Sequence, residues 1–430
     1  MANILLGFQS VLMPMNLLVL IGGVMIGMVV GALPGLNDSI TLAVLIPVTF
    51  GMEPQTAMCL LIGIYVSACY GGSIPSILLK IPGTASSVVT AFDGQPMTQQ
   101  GKAGLALSIS TTSSVFGGIM SSLVLLFFSP FLAAQALKFG PPEYLMLAIM
   151  GMSTVVGMAG NAMLKNILVM ALGLLIACIG LTPQAGYPRL TFGNPYLLDG
   201  IPLVPMLIGL FGVSSILELI ETTGGVKNIT EKIQRVHVKM LDKEMCKRLL
   251  PTWMQSGIIG TLIGVIPGAG MIMAIYLAYD QARRANPDKE FGTGVPEGVA
   301  APETANNAVV ASSMVPLLAL GVPGNATSAL FLGALMIQGL RPGPALYRDY
   351  PELAYLIVVG FLIANIFMLP MGLAFCNFLA GKILLLKREI LSGLVLVLCV
   401  TGAFAVSNSV FNIWVMIAFA AIGYFMNKFK

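Results

Sequence analysis

The chain has 430 residues, 57% of them apolar and only 9% charged, with a formal net charge of +4. Water-facing domains carry about 25% charged residues, so this composition excludes a soluble fold; disordered and nucleic-acid-binding classes fall too, because no basic stretch lacks interleaved acids. In hydrocarbon every backbone N–H and C=O needs an internal partner, which leaves helices or a closed barrel, and the continuous apolar runs predict an all-α polytopic membrane protein.

The N-terminal segment has no basic residues ahead of its apolar stretch, so no cleaved signal peptide is expected. The first long apolar run, 16–33, closes on GALPG (31–35), followed by Asn37, Asp38 and Ser39. Asp38 is the one charged residue between 1 and 52, and an ionisable group in a membrane segment is a candidate functional residue. Pro34, Gly35, Asn37 and Asp38 therefore form a first candidate motif. Asp38 reads either as a cation or proton site or as a helix N-cap, and GxxPG also has the GxxxG spacing of close helix packing.

The next motif is IPSILLKIPGTASS (74–87). Proline inside a helix removes a donor and costs about 3 kcal/mol or more; glycine adds about 1 kcal/mol. Non-helical backbone at membrane depth persists only where it is buried in protein or lines a wet cavity. Pro82 and Gly83 thus predict a re-entrant or broken helix. Thr84, Ser86 and Ser87 stand beside the unpaired amides of the restarting half-helix, an anion site made from neutral parts. A Pro-kinked span whose Ser and Thr satisfy the kink is the plainer alternative. Lys80 either neutralises a substrate carboxylate or snorkels to the surface, and Ser76, one turn earlier, permits a Ser–Lys dyad. Apolar runs at 115–128, 142–158 and 166–180 predict further spans.

Residues 1–220 hold eleven charged side chains, whereas 221–250 bring seven basic ones: Lys227, Lys232, Arg235, Lys239, Lys243, Lys247 and Arg248. A short basic loop reads as cytoplasmic, and the sole histidine, His237, is expected to be solvated there. Lys387 and Arg388, and the tail Lys428 and Lys430, fit the same side if 389–406 and 410–427 form a helical hairpin. The six cysteines are scattered with no CxxC pair, so they are expected to be small apolar core residues.

Past the loop the pattern recurs. GVIPG (264–268) matches GALPG, and VPLLALGVPGNATS (315–328) aligns without gaps to 74–87 with six of fourteen positions identical. The second motif lies eight residues farther from the first than in the earlier half, a difference the polar segment RRANPDKE (283–290) absorbs. The expected organisation is a duplication: a first transmembrane half at 1–220, the basic loop at 221–250 and a second half at 251–430, with about 10–12 transmembrane helices in all. Each of the two pseudo-symmetric halves carries a break at Pro-Gly. The second half contributes Pro267, Gly268, Pro323, Gly324, Asn325, Thr327 and Ser328. It also contributes APETANN (301–307), which puts Glu303, Asn306 and Asn307 on one side of a helix. Asparagine offers acceptors to a cation and donors to a carboxylate; a Na⁺ position near Asn37, Asp38 and Asn306 follows, with half-helix carbonyls as further ligands.

The runs PGLNDSITLAVLIPVTFGMEPQTAM, YGGSIPSILLKIPGTASSVVTAFDGQPMTQQGKAG, FGPPEY and DGIPLVPMLIGLFGVSSILE resemble the large membrane subunit of tripartite tricarboxylate transporters, the TctA family. IGTLIGVIPGAG, EGVAAPETANNAV and LGVPGNATSALFLGALMIQGLRPGP resemble it equally, so the likeness runs from about residue 16 to the end. It implies a multi-pass secondary transporter of the bacterial inner membrane. A small TctB-like membrane subunit and an extracytoplasmic TctC-like solute-binding protein would work with it to import citrate or a related carboxylate by symport with Na⁺ or H⁺. No cofactor and no enzyme activity are implied, and no GxxxxGK[ST] phosphate loop occurs. The family usually has a further apolar region after the segment matching 414–430, so the helix count near the C-terminus stays open. So do the carboxylate, the coupling ion, inverted against parallel repeats, and monomer against homo-oligomer. A passive anion channel is the alternative function, and an intramembrane Ser–Lys hydrolase a remoter one.

Overall fold

The computed structural model describes residues 2–33, 37–81, 83–157, 163–182, 186–221, 237–378 and 388–429. The first part of the chain forms α1 (Ala2–Val11), α2 (Pro14–Gly31), α3 (Asp38–Leu45), α4 (Pro54–Gly71), α5 (Ser73–Leu79), α6 (Thr90–Gln99), α7 (Ala103–Ala136), α8 (Pro141–Gly157) and α9 (Met163–Ala177). A two-residue antiparallel pair, β1 (Gly180–Leu181) with β2 (Pro188–Arg189), precedes α10 (Leu203–Leu207), which winds through a π-helical turn into α11 (Ser214–Glu221). The rest forms α12 (Lys243–Val265), α13 (Gly270–Ala285), α14 (Pro296–Ser312), α15 (Met314–Leu320), α16 (Ala326–Ile337), α17 (Pro344–Asp349), α18 (Pro351–Phe378), α19 (Arg388–Ala405) and α20 (Val410–Phe429).

Among the described residues, five stretches are long and apolar enough to cross a bilayer: α2, the near-continuous α4–α5, α7, α18 and α20. The 34 residues of α7 reach about 51 Å at 1.5 Å per residue, well beyond a hydrocarbon core of about 30 Å. The chain is a helical membrane protein. Local chemistry sets its helix starts: Pro14, Pro54 and Pro296 occupy first turns, where a missing N–H costs nothing. Asn37, Asp242 and Asn325 cap α3, α12 and α16 through their side chains.

Two helices form the interior. Thr56–Gly71 of α4 and Glu297–Ser312 of α14 are buried along their whole length. Such enclosure requires close backbone approach, and glycine seams supply it. Gly23, Gly27 and Gly31 of α2 meet α4 at Gly63 and Gly71; a side chain at Gly63 would stand 2.8 Å from the Val24 nitrogen, and one at Gly71 2.8 Å from the Met28 oxygen. On α12, a side chain at Gly260 would stand 2.8 Å from Cα of Ala305 on α14. Small-residue seams of this kind hold membrane helices together by dispersion where lipid removes the hydrophobic drive.

Polar clamps close one end of α14. Arg248 makes a bidentate pair with Glu297 at 2.7 and 2.9 Å, and Lys289 adds a bond of 2.9 Å. Asp93 of α6, wholly buried, accepts from the amides of Gly292, Gly294 and Val295 at 2.8–2.9 Å and from the Tyr279 hydroxyl at 2.8 Å. This fixes the loop before α14 to α6. The end of the basic segment is tied down as well: Asn377 exchanges two 2.8 Å bonds with Val238, and Ser108 donates to the Lys239 carbonyl. His237 is exposed, and Lys227, Lys232, Arg235 and Lys387 lie outside the described residues. Four of the six cysteines are buried and all six are unpaired. Gly63→Val is expected to destabilise the protein by about 1–3 kcal/mol through overpacking, read from thermal unfolding in detergent. Gly22→Val meets open space and is expected to leave the melting curve in place; equal losses at both positions would refute the seam.

Candidate functional site

The two Pro-Gly motifs of the second half stand at helix breaks, and helices end and restart on either side of those of the first. α2 stops at Gly31 and α3 begins at Asp38; α12 stops at Val265 and α13 begins at Gly270. α5 stops at Leu79, with Lys80 in the left-handed region at φ 58°, and a short turn (Ala85–Ser87) leads to α6. α15 stops at Leu320, with Gly321 at φ 76°, and α16 begins at Ala326. Pro34, Gly35 and Pro82 lie outside the described residues.

Segments from all four breaks border one cavity of about 1580 Å³: Asn37–Ser39, Ala85–Ser86, Ile266–Gly270 and Gly321–Thr327. Of the candidate residues read from the sequence, Asn37, Asp38, Ser86, Pro267, Gly268, Pro323, Gly324, Asn325 and Thr327 line it. Among the described lining residues Asp38 is the one charged group. The cavity thus offers anions no fixed cation, only amides, hydroxyls and a helix start.

The Asp38 side of the cavity is a hydrogen-bonded cluster. Asn37, not Asp38, caps α3, accepting from the Ile40 amide at 2.7 Å. Asp38 is free of that duty and accepts from the Thr327 hydroxyl, which also pairs with Ser39 Oγ at 2.7 Å. One residue at the start of α16 therefore bridges to two at the start of α3. Asn325 is held from behind: its Nδ2 donates to the Tyr65 hydroxyl at 3.1 Å, and that hydroxyl stands 3.2 Å from Ser313 Oγ. A reciprocal cap joins Asn325 and Ser328, each side chain accepting from the other's amide at 2.8 Å. Ser328 is thereby a cap partner and not a wall residue. The first-turn amides of Ala326 and Thr327 have no carbonyl within their own helix, and both residues line the cavity.

The first half's tip is arranged differently. Thr84 and Ser87 form their own reciprocal cap, Ser87 Oγ lies 2.7 Å from Ser76 Oγ, and Thr84 Oγ1 lies 3.1 Å from Ser86 Oγ. Gly83 is sealed against the chain: a side chain there would stand 2.7 Å from Cα of Gly72 and 2.9 Å from the Gly31 oxygen. Lys80 is exposed, while Ser76 spends its hydroxyl on Gly72 and Ser87, so the two form no dyad.

Glu303, Asn306 and Asn307 lie apart from the cavity wall, fully buried on α14. The Nδ2 groups of Asn306 and Asn307 reach the α4 carbonyls of Cys69 and Val66 at 3.4 Å, leaving both Oδ1 atoms without a partner. Residues that the sequence reading missed include Tyr65 and Ser313 behind Asn325, and Asn166 and Tyr276 in the wall. None sits in a motif; only packing brings them in.

In comparison with known proteins, residues 17–430 match the model of the tripartite tricarboxylate transporter TctA family. The chain is 35% identical over 426 residues to an uncharacterized 52.8 kDa protein in the TAR-I ttuC' 3' region of Agrobacterium vitis, covering 99% of this chain and 84% of that one. It is 33% identical over 166 residues to an uncharacterized protein in the TAR-II ttuC' 3' region of the same organism, 38% of this chain and 68% of that one. No solved structure matches.

The bridge between α3 and α16 is open to a double-mutant cycle. Removing one partner of a hydrogen bond to a charged group costs about 1.5–3 kcal/mol, so Thr327→Val is expected to lose that much stability in the parent chain. In an Asp38→Ala background it is expected to lose at least about 1 kcal/mol less. Additive losses, measured by denaturation in detergent, would dissolve the bridge.

Proposed function

Since the chain belongs to the tripartite tricarboxylate transporter TctA family, we propose that it is the large membrane subunit of an ion-coupled carrier that imports a small di- or tricarboxylate across the bacterial inner membrane. The supporting observation is the convergence of all four interrupted segments on one cavity. A passive channel needs a continuous pore lined by like groups; a single cavity walled by helix breaks suits a carrier. The family is one of transporters, and a tripartite system implies other subunits. On this reading they are a small TctB-like membrane subunit and a TctC-like solute-binding protein that delivers the carboxylate.

The carboxylates of the substrate would sit at the start of α16, taking hydrogen bonds from the Ala326 and Thr327 amides, with Asn325 and Ser86 at the rim. Positive helix ends aimed at a carboxylate and cations held by carbonyls are the recurring devices of secondary transporters. Asp38 brings a negative charge into the same cavity, so a cation must accompany the anion there; Asp38 and Asn37 are the groups that would hold it. The cavity exceeds the ~300–1,000 Å³ that encloses a drug-sized ligand, so occlusion requires the walls to approach. The halves 1–220 and 251–430 are then repeats, each with a re-entrant segment, and the shorter apolar helices would complete about 10–12 crossings.

A screen of di- and tricarboxylates by thermal shift, with and without Na⁺, is expected to raise the melting temperature for at least one acid by mass action. Asn325→Ala combined with Ser86→Ala is expected to weaken that ligand at least tenfold, about 1.4 kcal/mol. Unchanged apparent affinity in a folded double variant would unseat the site.

A further inference from the structure

Glu303 lies inside the bundle with its side chain fully buried, and no basic residue bonds to it among the described residues. Four hydroxyls surround it instead. Oε1 accepts from Ser73 at 2.6 Å and from Thr90; Oε2 accepts from Ser110 and Ser114 at 2.9 Å each. They come from α5, α6 and α7, all in the first half, and close on a residue of the second. An isolated charge in such a place costs several kcal/mol unless it is compensated.

Two other buried carboxylates, Glu297 and Asp93, are held differently. Glu297 has Arg248 and Lys289, and Asp93 has three amides and a tyrosine hydroxyl. Amides and cations only donate. A hydroxyl donates or accepts as required. The Glu303 cage therefore stays hydrogen-bonded in both forms: four hydroxyls donate to the carboxylate, and one turns to accept when the acid carries a proton.

We propose that Glu303 is a reversible proton-binding site, loaded from water in the cavity past the segment Ser86–Thr90, in which Val88 and Val89 separate the hydroxyls of Ser86 and Ser87 from that of Thr90. That segment has Ser86 in the cavity wall and Thr90 on Glu303. One O–H bond forms on the carboxylate as one breaks on a hydronium ion, which is left as water, and the reverse step returns the proton. The role in transport rests on the carrier reading above; the site itself does not. Groups on the elements packed against α14 are otherwise engaged or distant from charge. Cys69 and Tyr70 of α4 are fully buried, and the Tyr70 hydroxyl pairs with Thr111 and Cys376. Asp93 of α6 and Tyr279 of α13 bond to each other, and Asp280 pairs with Arg283 and Arg284 on α13. On α12, Arg248 holds Glu297, Lys243, Glu244 and Lys247 are exposed, and Cys246 is half-buried; α7 and α15 carry no titratable residue.

Infrared difference spectra of the purified full chain in detergent, stepped across pH, test this. The wild type is expected to show the C=O stretch of a buried protonated carboxyl that vanishes as pH rises, absent from Glu303→Gln and with a midpoint indifferent to Na⁺. Ser110→Ala with Ser114→Ala removes two donors to the ionised form, so its proton affinity is expected to rise about tenfold, moving the midpoint up by about one pH unit; this variant reads the site even if Glu303→Gln does not fold. Identical spectra for wild type and Glu303→Gln, a midpoint displaced by Na⁺, or an unmoved midpoint in the serine variant would each overturn the proposal. Carboxylate uptake into proteoliposomes that hold the chain together with its small membrane subunit and are supplied with its solute-binding protein separates the two readings: the band without uptake sinks the carrier alone, and uptake without the band sinks the proton site alone.

Discussion

Backbone groups released by a helix break inside the bundle must find partners in the protein, because hydrocarbon supplies none. Three of the breaks show it. Gly83 donates to the Gly72 carbonyl at 3.1 Å, and Gly268 donates to the Gly324 carbonyl at 2.8 Å, which joins the two Pro-Gly turns of the second half. The ends of α5 and α15 are closed alike: Ile81 reaches back to Pro75 at 3.4 Å and Val322 to Pro316 at 3.2 Å. Glycine is needed where these chains touch, since any side chain at Gly324 would stand 2.9 Å from the Ser313 oxygen. The breaks are thus rigidly specified, and the few first-turn amides left over become the polar lining of the cavity.

Negative charge is handled in two ways. Near the polar loop, Glu297 and Asp93 are locked by cations and amides and join α12, α13, α6 and α14 into one block. Deeper in, Asp38 and Glu303 are met by hydroxyls of Thr327, Ser73, Thr90, Ser110 and Ser114. A buried ion pair is costly to separate, whereas hydroxyl contacts are individually weak and reorient freely. Static architecture and exchangeable chemistry are therefore assigned to different partners of the same residue type.

Two of the breaks were legible, since α12 ends at Val265 just before Pro267 and Gly268 and α15 ends at Leu320 just before Pro323 and Gly324, whereas Pro130 and Pro370 stay inside their helices. The identity of the cap at 37–38 was half legible. Both residues are cap formers, and only the Ile40 amide, 2.7 Å from Asn37 Oδ1, decides between them. The cage around Glu303 was not legible at all, since Ser73, Thr90, Ser110 and Ser114 are unremarkable hydroxyls on three helices until tertiary packing gathers them. Asp93 was equally silent; its partners are amides of a loop some 200 positions later, and an amide leaves no mark in a sequence. Local backbone constraints are written in residue type, while convergence across helices is written only in the packing.

The two aligned motifs, though similar as sequences, do different work as structures. After Gly324 the apolar run ALFLGALMI supports a twelve-residue helix, α16, at once, and Pro323–Thr327 line the cavity continuously. After Gly83 the chain reads VVTAFDGQP, with a carboxylate and a proline in place of apolar residues, so it makes one short turn and then the polar α6. Thr90 and Asp93 of α6 are drawn to Glu303 and to the loop before α14, which leaves Ala85 and Ser86 as this tip's lining of the cavity. Substitutions after Gly324 therefore act on the cavity directly, whereas those after Gly83 act first on the union of the two halves.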